Sequence, residues 1–186
     1  AGLSLSYTEG RREISTFGGK QNWRNGLDIS DDRVKRNVDA QRGKPKIFKN
    51  PMSDAGRENI SSGGSATATI IRSGGIENIS TGGSDSNAVI SSGGIQNVSS
   101  GGTANAMTIS GGGTQNVFST ALASGGTIGS GGTQILSGGT ASATVISNAG
   151  TQTISATGIA SGITISSGGI QNILNNGSAV ATIVNS

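Results

Sequence analysis

A repeat of 19 residues runs through residues 55–186 and constrains the fold more than any other feature of the chain. Its units begin at Ala55, Gly74, Gly93, Gly112, Gly131, Ala149 and Gly168. Every spacing is 19 residues except the last but one, which is 18. A fixed period of this length is typical of solenoids, in which each unit forms one coil that is stable only against its neighbours.

Each unit consists of short aliphatic runs separated by paired glycines. In the clearest unit, one run follows Gly93-Gly94 and a second follows Gly101-Gly102. Such pairs permit sharp corners, because glycine adopts positive φ readily and carries no Cβ that would meet the adjacent coil. Runs rich in Ile, Val and Thr between these breaks predict β-strands. The sequence therefore predicts an all-β solenoid of about seven 19-residue coils.

Two columns of the repeat are aliphatic in every unit. The first column holds Ile60, Ile79, Val98, Val117, Leu136, Ile154 and Ile173. The second column holds Ile71, Ile90, Ile109, Ile128, Ile146, Ile165 and Val184. If each unit is one coil, like side chains stack about 4.8 Å apart, and the two columns predict two continuous buried ladders.

Three other columns hold small or amide side chains. The small column, interpreted as a tight third corner, holds Ala66, Asp85, Ala104, Ala123, Ala141, Ala160 and Ala179. The asparagine column, expected to form hydrogen bonds along the axis, holds Asn59, Asn78, Asn97, Asn116, Ile135, Thr153 and Asn172. The glutamine column, interpreted as a solvated face, holds Glu58, Glu77, Gln96, Gln115, Gln134, Gln152 and Gln171.

Charge divides the chain into two regions, a basic N-terminal cap at residues 1–54 and the repeats at 55–186. Residues 1–60 contain 12 of the 13 Lys and Arg and 8 of the 10 Asp and Glu, a net charge of +4. In the cap, residues 18–26 resemble a degenerate unit with Trp23 in the first column, which predicts coils from about residue 14. Residues 30–54 are expected to form a charged excursion.

Two local expectations concern the ends of these regions. Ser30 can cap a short helix with Asp31 and Asp32 in its first turn and Val34 and Val38 on one face. Ser186 falls on the last position of its unit, so the chain is expected to be a fragment of a longer solenoid.

The composition argues against an enzyme. The chain has no Cys and no His, which removes disulfides, thiol nucleophiles and the commonest general base and metal ligand. The carboxylates of the repeats are few and are interpreted as variants of a glutamine position rather than as a catalytic pair. We expect no catalytic residue, cofactor or metal site. No apolar run approaches the ~18 residues that span a bilayer, so membrane insertion is not expected either.

A cluster of cations in the N-terminal region is the candidate partner-binding site. This basic cluster consists of Arg33, Lys35, Arg36, Arg42, Lys44, Lys46 and Lys49. Clustered cations attract sulfated glycans or acidic surfaces of host cell proteins. The alternative is a soluble cap that resists edge-to-edge pairing. Nucleic acid is not expected, because aromatic residues make up only 3% of the chain and no binding motif is present.

The repeat resembles a known family. The unit Gly-Gly-Ile-Gln-Asn-Val-Ser-Ser-Gly-Gly-Thr-Ala at 93–104, with the closing Thr-Ile-Ser-Ser at 164–167, is similar to the AIDA-type repeat of type V autotransporter passengers. These are self-transported bacterial adhesins and virulence factors. The resemblance covers residues 55–186 closely and 18–26 weakly.

The resemblance implies a right-handed parallel β-helix, exported through the outer membrane to the cell surface or the medium, that binds host cells as an adhesin. It also implies that heptose can be carried on the matching serines, which are Ser61, Ser62, Ser80, Ser91, Ser92, Ser99 and Ser100. Two alternatives stay open. A released ligand for a host receptor of growth-factor type predicts saturable binding to one cell-surface protein. Bacterial self-association, as in biofilms, predicts oligomers that depend on concentration.

Overall fold

The structure is a computed structural model that describes residues 56–185 and, before them, the backbone of six strands within residues 4–52. The chain divides into two compact units, residues 1–31 and 32–186. In the first unit, β1 (Ser4–Thr8), β2 (Arg11–Thr16) and β3 (Gly19–Asn22) form an antiparallel sheet in chain order.

This antiparallel sheet corrects one expectation. Residues 18–26 were expected to form a solenoid coil, but Gly19–Asn22 pairs antiparallel with the strand before it, with Thr16 opposite Gly19. Only two residues connect β2 to β3, and a connection that short permits a hairpin but no crossover to a parallel strand. Trp23 lies outside the described residues.

The second unit is a parallel β-solenoid in which each coil contributes three strands. Coils 1 to 4 contain β4 (Asn37–Ala40), β5 (Ile47–Phe48), β6 (Pro51–Met52), β7 (Arg57–Ile60), β8 (Ser65–Thr67), β9 (Ile70–Ile71), β10 (Ile76–Ile79), β11 (Ser84–Ser86), β12 (Val89–Ile90), β13 (Ile95–Val98), β14 (Thr103–Asn105) and β15 (Thr108–Ile109). Coils 5 to 8 contain β16 (Thr114–Phe118), β17 (Leu122–Ser124), β18 (Thr127–Ile128), β19 (Thr133–Ser137), β20 (Thr140–Ser142), β21 (Val145–Ile146), β22 (Thr151–Ser155), β23 (Ile159–Ser161), β24 (Thr164–Ile165), β25 (Ile170–Ile173), β26 (Ser178–Val180) and β27 (Ile183–Val184).

The first, second and third strands of the coils form three separate parallel sheets. Within the described residues each sheet has eight strands, and each strand pairs with its counterparts in the neighbouring coils. The register follows the repeat, so that Ile79 lies opposite Ile60 on one side and Val98 on the other. The seven predicted coils are therefore present as coils 2 to 8.

Coil 1 lies within the region expected to be a charged excursion. Strands β4, β5 and β6 pair parallel with β7, β8 and β9 of coil 2. Val38, placed on a helix by its spacing from Val34, lies instead on β4. The remainder of that predicted helix lies outside the described residues. No helix in the described part of the chain is long and apolar enough to cross a membrane.

The two aliphatic ladders form the core. The first column is fully buried from Ile60 to Ile154, and the second from Ile71 to Ile146. In the final coil, which packs against a neighbour on one side only, Ile173 is 52% exposed and Val184 is 73% exposed. The predicted ladders are thus confirmed except at this end of the stack.

The small column is not at a corner. Its residues occupy the middle of the second strand of each coil and point inward, because side chains alternate along a strand. The third corner lies two residues later, at positions that adopt positive φ in each of coils 2 to 8. These are Ala68, Asn87, Ala106, Gly125, Ala143, Gly162 and Ala181.

Candidate functional surface

The outer face of the first sheet carries the predicted asparagine ladder. The side-chain amide of Asn78 donates to Asn59 Oδ1 at 2.8 Å, Asn97 donates to Asn78 at 3.0 Å, and Asn116 donates to Asn97 at 2.9 Å. All four side chains are half-buried. The hydrogen bonds along the axis are therefore confirmed for coils 2 to 5, up to the place where Ile135 interrupts the column.

We expect Asn97→Ala to lower the free energy of unfolding by about 1–2 kcal/mol. The substitution removes two side-chain hydrogen bonds, each worth about 0.5–1.5 kcal/mol, at a site partly open to water. Denaturant unfolding followed by circular dichroism measures the change. Asn172→Ala is the matched control, because Asn172 is exposed and its substitution is expected to change stability by less than about 0.5 kcal/mol. Equal effects at both positions would contradict a stabilising ladder.

All seven residues of the basic cluster lie outside the part of the chain that the structure describes. They are Arg33, Lys35, Arg36, Arg42, Lys44, Lys46 and Lys49. The binding site assigned to them stays a prediction.

The described repeats present very little charge to solvent. Among residues 56–185 the exposed charged side chains are Arg57 and Arg72. The three carboxylates of this range, Glu58, Glu77 and Asp85, are completely buried. The outer faces consist mainly of Ser, Thr, Asn and Gly, which offer hydrogen bonds and little apolar area.

Coil 5 presents two exposed apolar side chains that flank one corner, a feature that the sequence analysis missed. Phe118 is 41% exposed and Leu122 is 40% exposed, at the two sides of the corner between the first and second sheets. Ile159, also exposed, stands two coils further along the column of Leu122, with Thr140 between them. The signal was present in the sequence, because most other coils have serine at the position of Phe118.

The glutamine column lies inside the solenoid, not on a solvated face. Gln96, Gln115, Gln134 and Gln152 are buried. Each donates its side-chain amide to the preceding residue of the column, at 2.6–2.7 Å for the three bonds among them. Gln171 extends the ladder by donating to Gln152 at 2.8 Å. A glutamine side chain both donates and accepts, so the column can satisfy its own amides without water.

Glu77 and Glu58 occupy this internal column in coils 3 and 2, and Asp85 occupies the internal small column in coil 3. We call these three residues the acidic cluster. Gln96 donates a hydrogen bond of 2.5 Å to Glu77 Oε2. The other five carboxylate oxygens are buried without a hydrogen-bond partner. Thus Glu58 and Glu77, which the sequence analysis placed on a solvated face, are buried in the interior.

Burial dominates the electrostatics of the acidic cluster. It raises the pKa of Glu58 to about 7, with a further contribution from the charge of Asp85. Burial, followed by the charges of Asp85 and Glu58, raises the pKa of Glu77 well above its ordinary value. Burial also raises the pKa of Asp85, although Glu77, the Ser86 backbone and Thr69 act to lower it. No group of His, Cys, Asp or Glu side chains in the described part of the chain is arranged so that it could hold a metal ion.

Comparison with known proteins gives an informative match among solved structures. No protein-family model matches the chain, and no curated protein matches it at a significant level. A solved structure does match, the crystal structure of the TibC-catalysed hyper-glycosylated TibA fragment 55–350. The TM-score is 0.61 at 28% sequence identity, over 80% of this chain and 61% of that one. The chain thus spans about three fifths of the fragment that it matches.

The chain resembles an AIDA-type autotransporter passenger. The likeness that the repeat motif indicated is therefore confirmed, and so is the all-β parallel solenoid of stacked 19-residue coils. The fold resembles that of a structural adhesin passenger. The division at residue 54 and the expectation of no enzyme activity stay predictions.

Proposed function

We propose that the chain is part of a bacterial adhesin passenger that is displayed at the cell surface or secreted, and that it binds host cells. The observation that carries the proposal is the match between its solenoid and the TibA fragment. A stack of coils held by buried ladders forms an extended scaffold, and repeat proteins use such scaffolds as binding surfaces.

We further propose that the basic cluster makes the main contact, with a sulfated glycan or an acidic surface of a host protein as its partner. Two features of the repeats support this placement. Their exposed charge is limited to Arg57 and Arg72 within residues 56–185, and most of their outward side chains are short. Attraction at long range therefore comes mainly from the N-terminal region, residues 1–54, which holds 11 of the 13 cations.

The test replaces six cations, Arg33, Lys35, Arg36, Lys44, Lys46 and Lys49, with Ser or Gln. We expect binding to heparin and to host cells to fall about tenfold or more. The six contacts together need contribute only about 1.4 kcal/mol of binding free energy for their loss to weaken binding tenfold. Parental binding should also weaken as salt rises, since exposed charges are screened within ~8 Å at physiological ionic strength. Binding is measured over a salt series, with circular dichroism as the check on folding.

The matched control is the double variant Phe118→Ser with Leu122→Ser, which removes the exposed apolar corner of coil 5 and leaves every charge in place. Serine stands at the position of Phe118 in most other coils, so this corner tolerates it. Heparin binding by this variant should equal that of the parent. If the six-cation variant instead binds as the parent does and the coil 5 variant does not, the contact lies on the repeats.

A second candidate function, self-association, is favoured by the exposed apolar corner at Phe118 and Leu122. Exposed apolar side chains of neighbouring molecules gain free energy by burying one another. Sedimentation velocity over a range of concentrations separates this function from host binding by a monomer.

The serines expected to carry heptose are exposed or half-buried. Ser62, Ser92 and Ser100 are exposed, and Ser61, Ser80, Ser91 and Ser99 are half-buried. The hydroxyl groups of the exposed serines are therefore accessible to glycosylation of the kind found on the TibA fragment. We include this modification in the proposed role at a cell surface.

A further inference from the structure

We propose that coils 2 and 3 are a pH-sensitive segment of the solenoid, which is closed when the acidic cluster is protonated and loosens when the cluster ionises. The proposal depends on the placement of Glu58, Glu77 and Asp85 inside two consecutive coils, where each is 0% exposed. It is independent of the proposed adhesin function.

The cluster has few hydrogen-bond donors to stabilise its charge. Gln96 donates to Glu77, and Thr69 and the Ser86 backbone favour the ionised form of Asp85 without outweighing its burial. Five of its six carboxylate oxygens lack a partner, and the sixth accepts one bond from Gln96. A carboxylate buried without partners costs several kcal/mol when it is ionised, whereas a protonated carboxyl costs far less. Two or three charges in adjacent coils also repel one another.

No cation among the described side chains faces the cluster. Arg57 lies on β7 beside Glu58, but successive side chains alternate, so Arg57 is exposed on the outer face. Arg72 follows β9 and is exposed too. The inward neighbours from β8, β13 and β14 are the neutral Ala66, Gln96 and Ala104. From coil 1, the backbone register places Val38 opposite Glu58 and Asp39 opposite Asn59.

The other coils show that these acids are not required by the fold. The positions of Glu58 and Glu77 are occupied by glutamine in coils 4 to 8, where the amides form a continuous hydrogen-bonded ladder. The position of Asp85 is occupied by alanine in the coils before and after it. The three acidic residues that replace glutamine or alanine in these columns thus all lie in coils 2 and 3.

The direction of the pH effect follows from the raised pKa values. A carboxyl whose folded pKa exceeds its unfolded value contributes stability at low pH and loses it as pH rises through the folded pKa. For Glu58 the loss begins above its ordinary value of 4.5 and is complete once the pH has passed about 7, where the folded state is ionised as well. Coils 2 and 3 are therefore most stable in acid and lose stability through neutral pH.

The effect should remain local. In a solenoid each coil contacts only its neighbours, so a weakened pair of coils opens without unfolding the distant ones. Among the described strands, coil 1 pairs only with coil 2. Loosening of coil 2 therefore also releases coil 1. The strands of coil 1 lie within residues 37–52, and the residues of the basic cluster lie within residues 33–49 of the same segment.

The test is hydrogen exchange of the full 186-residue chain between about pH 5 and pH 8, expressed as protection factors for each coil. We expect protection over residues 57–90 to fall about tenfold or more between pH 6 and pH 8, because ionising one group changes stability by up to a factor of ten for each pH unit. Protection over coils 6 and 7 should stay constant. A parent whose coils 2 and 3 show no pH dependence would overturn the proposal.

The matched variant is Glu58→Gln with Glu77→Gln and Asp85→Ala, which gives coils 2 and 3 the residues of the other coils. Its protection should not depend on pH, and a persistent fall would show that the cluster is not the cause. If this variant does not fold, Glu58→Gln alone must still reduce the fall. Millimolar calcium is added to the parent at pH 8, and recovery of protection would overturn the proton switch in favour of a cation site.

Discussion

Replacing Gly113 with alanine is expected to destabilise the solenoid by about 3 kcal/mol or more, at or beyond the upper end of the usual cost of overpacking. A Cβ at this position, where coil 4 passes into coil 5, would lie 2.3 Å from the carbonyl oxygen and 2.5 Å from the carbonyl carbon of Ile90 in coil 3. These are backbone atoms, and the same oxygen accepts a hydrogen bond from Ser110 N at 3.0 Å. Coils 3 and 4 can admit the methyl group only by separating.

Its neighbour Gly112 is the matched control. Gly112 has a φ of +79°, and a Cβ there would meet no atom within 4 Å. Gly112→Ala should therefore cost only the backbone strain of the left-handed region, about 1–2 kcal/mol. Denaturant unfolding of the two variants against the parent measures both changes. If Gly112→Ala were the more costly change, backbone conformation rather than space would limit these corners.

The periodicity of the sequence was sufficient to predict the coil, its register and its aliphatic core. A column that is aliphatic in seven consecutive units has a simple physical explanation, since stacked coils bury identical positions against one another. Ile79 and Ile90 are buried as that reasoning requires. The asparagine ladder was predictable for the same reason.

The interior glutamines were not predicted, because hydropathy assigns a polar column to the surface. What decides their position is the alternation along the first strand, in which Gln96 and Val98 point to the same side. The burial of Val98 therefore requires that of Gln96, two residues before it. Applied to Glu58 and Ile60, the same reasoning would have identified the buried carboxylates.

The N-terminal region was harder to predict because it lacks the repeat. Coil 1 uses residues that do not match the columns, and its strands of two to four residues are recognised only by their pairing with coil 2. The glycines of residues 18–26 are at a spacing that both a coil and a hairpin accept. Local sequence could not choose between them, and the two-residue connection selected the hairpin.

Gln115→Glu is expected to destabilise the solenoid at pH 7 by about 3–5 kcal/mol, the cost of an uncompensated buried charge. Gln115 is fully buried, donates to Gln96 Oε1 at 2.7 Å and accepts from Gln134 Nε2 at 2.6 Å. An ionised glutamate retains the second bond but cannot donate to Gln96. Its charge would also face the oxygen that Gln96 presents, at a position that water does not reach.

The loss should disappear in acid, because a protonated glutamate has the shape of glutamine and can donate one hydrogen bond to Gln96. Burial raises the folded pKa of such a group. The stability of the solenoid is therefore retained at low pH, where the group is protonated, and is lost as pH rises through that pKa. Denaturant unfolding at about pH 4 and pH 7 measures both limits. Asn116→Asp, one residue away on the outer face and half-buried, is the matched control and should change stability by about 1 kcal/mol or less. If Gln115→Glu were no more costly at pH 7 than at pH 4, the interior would tolerate charge, and the acidic cluster could not make coils 2 and 3 sensitive to pH.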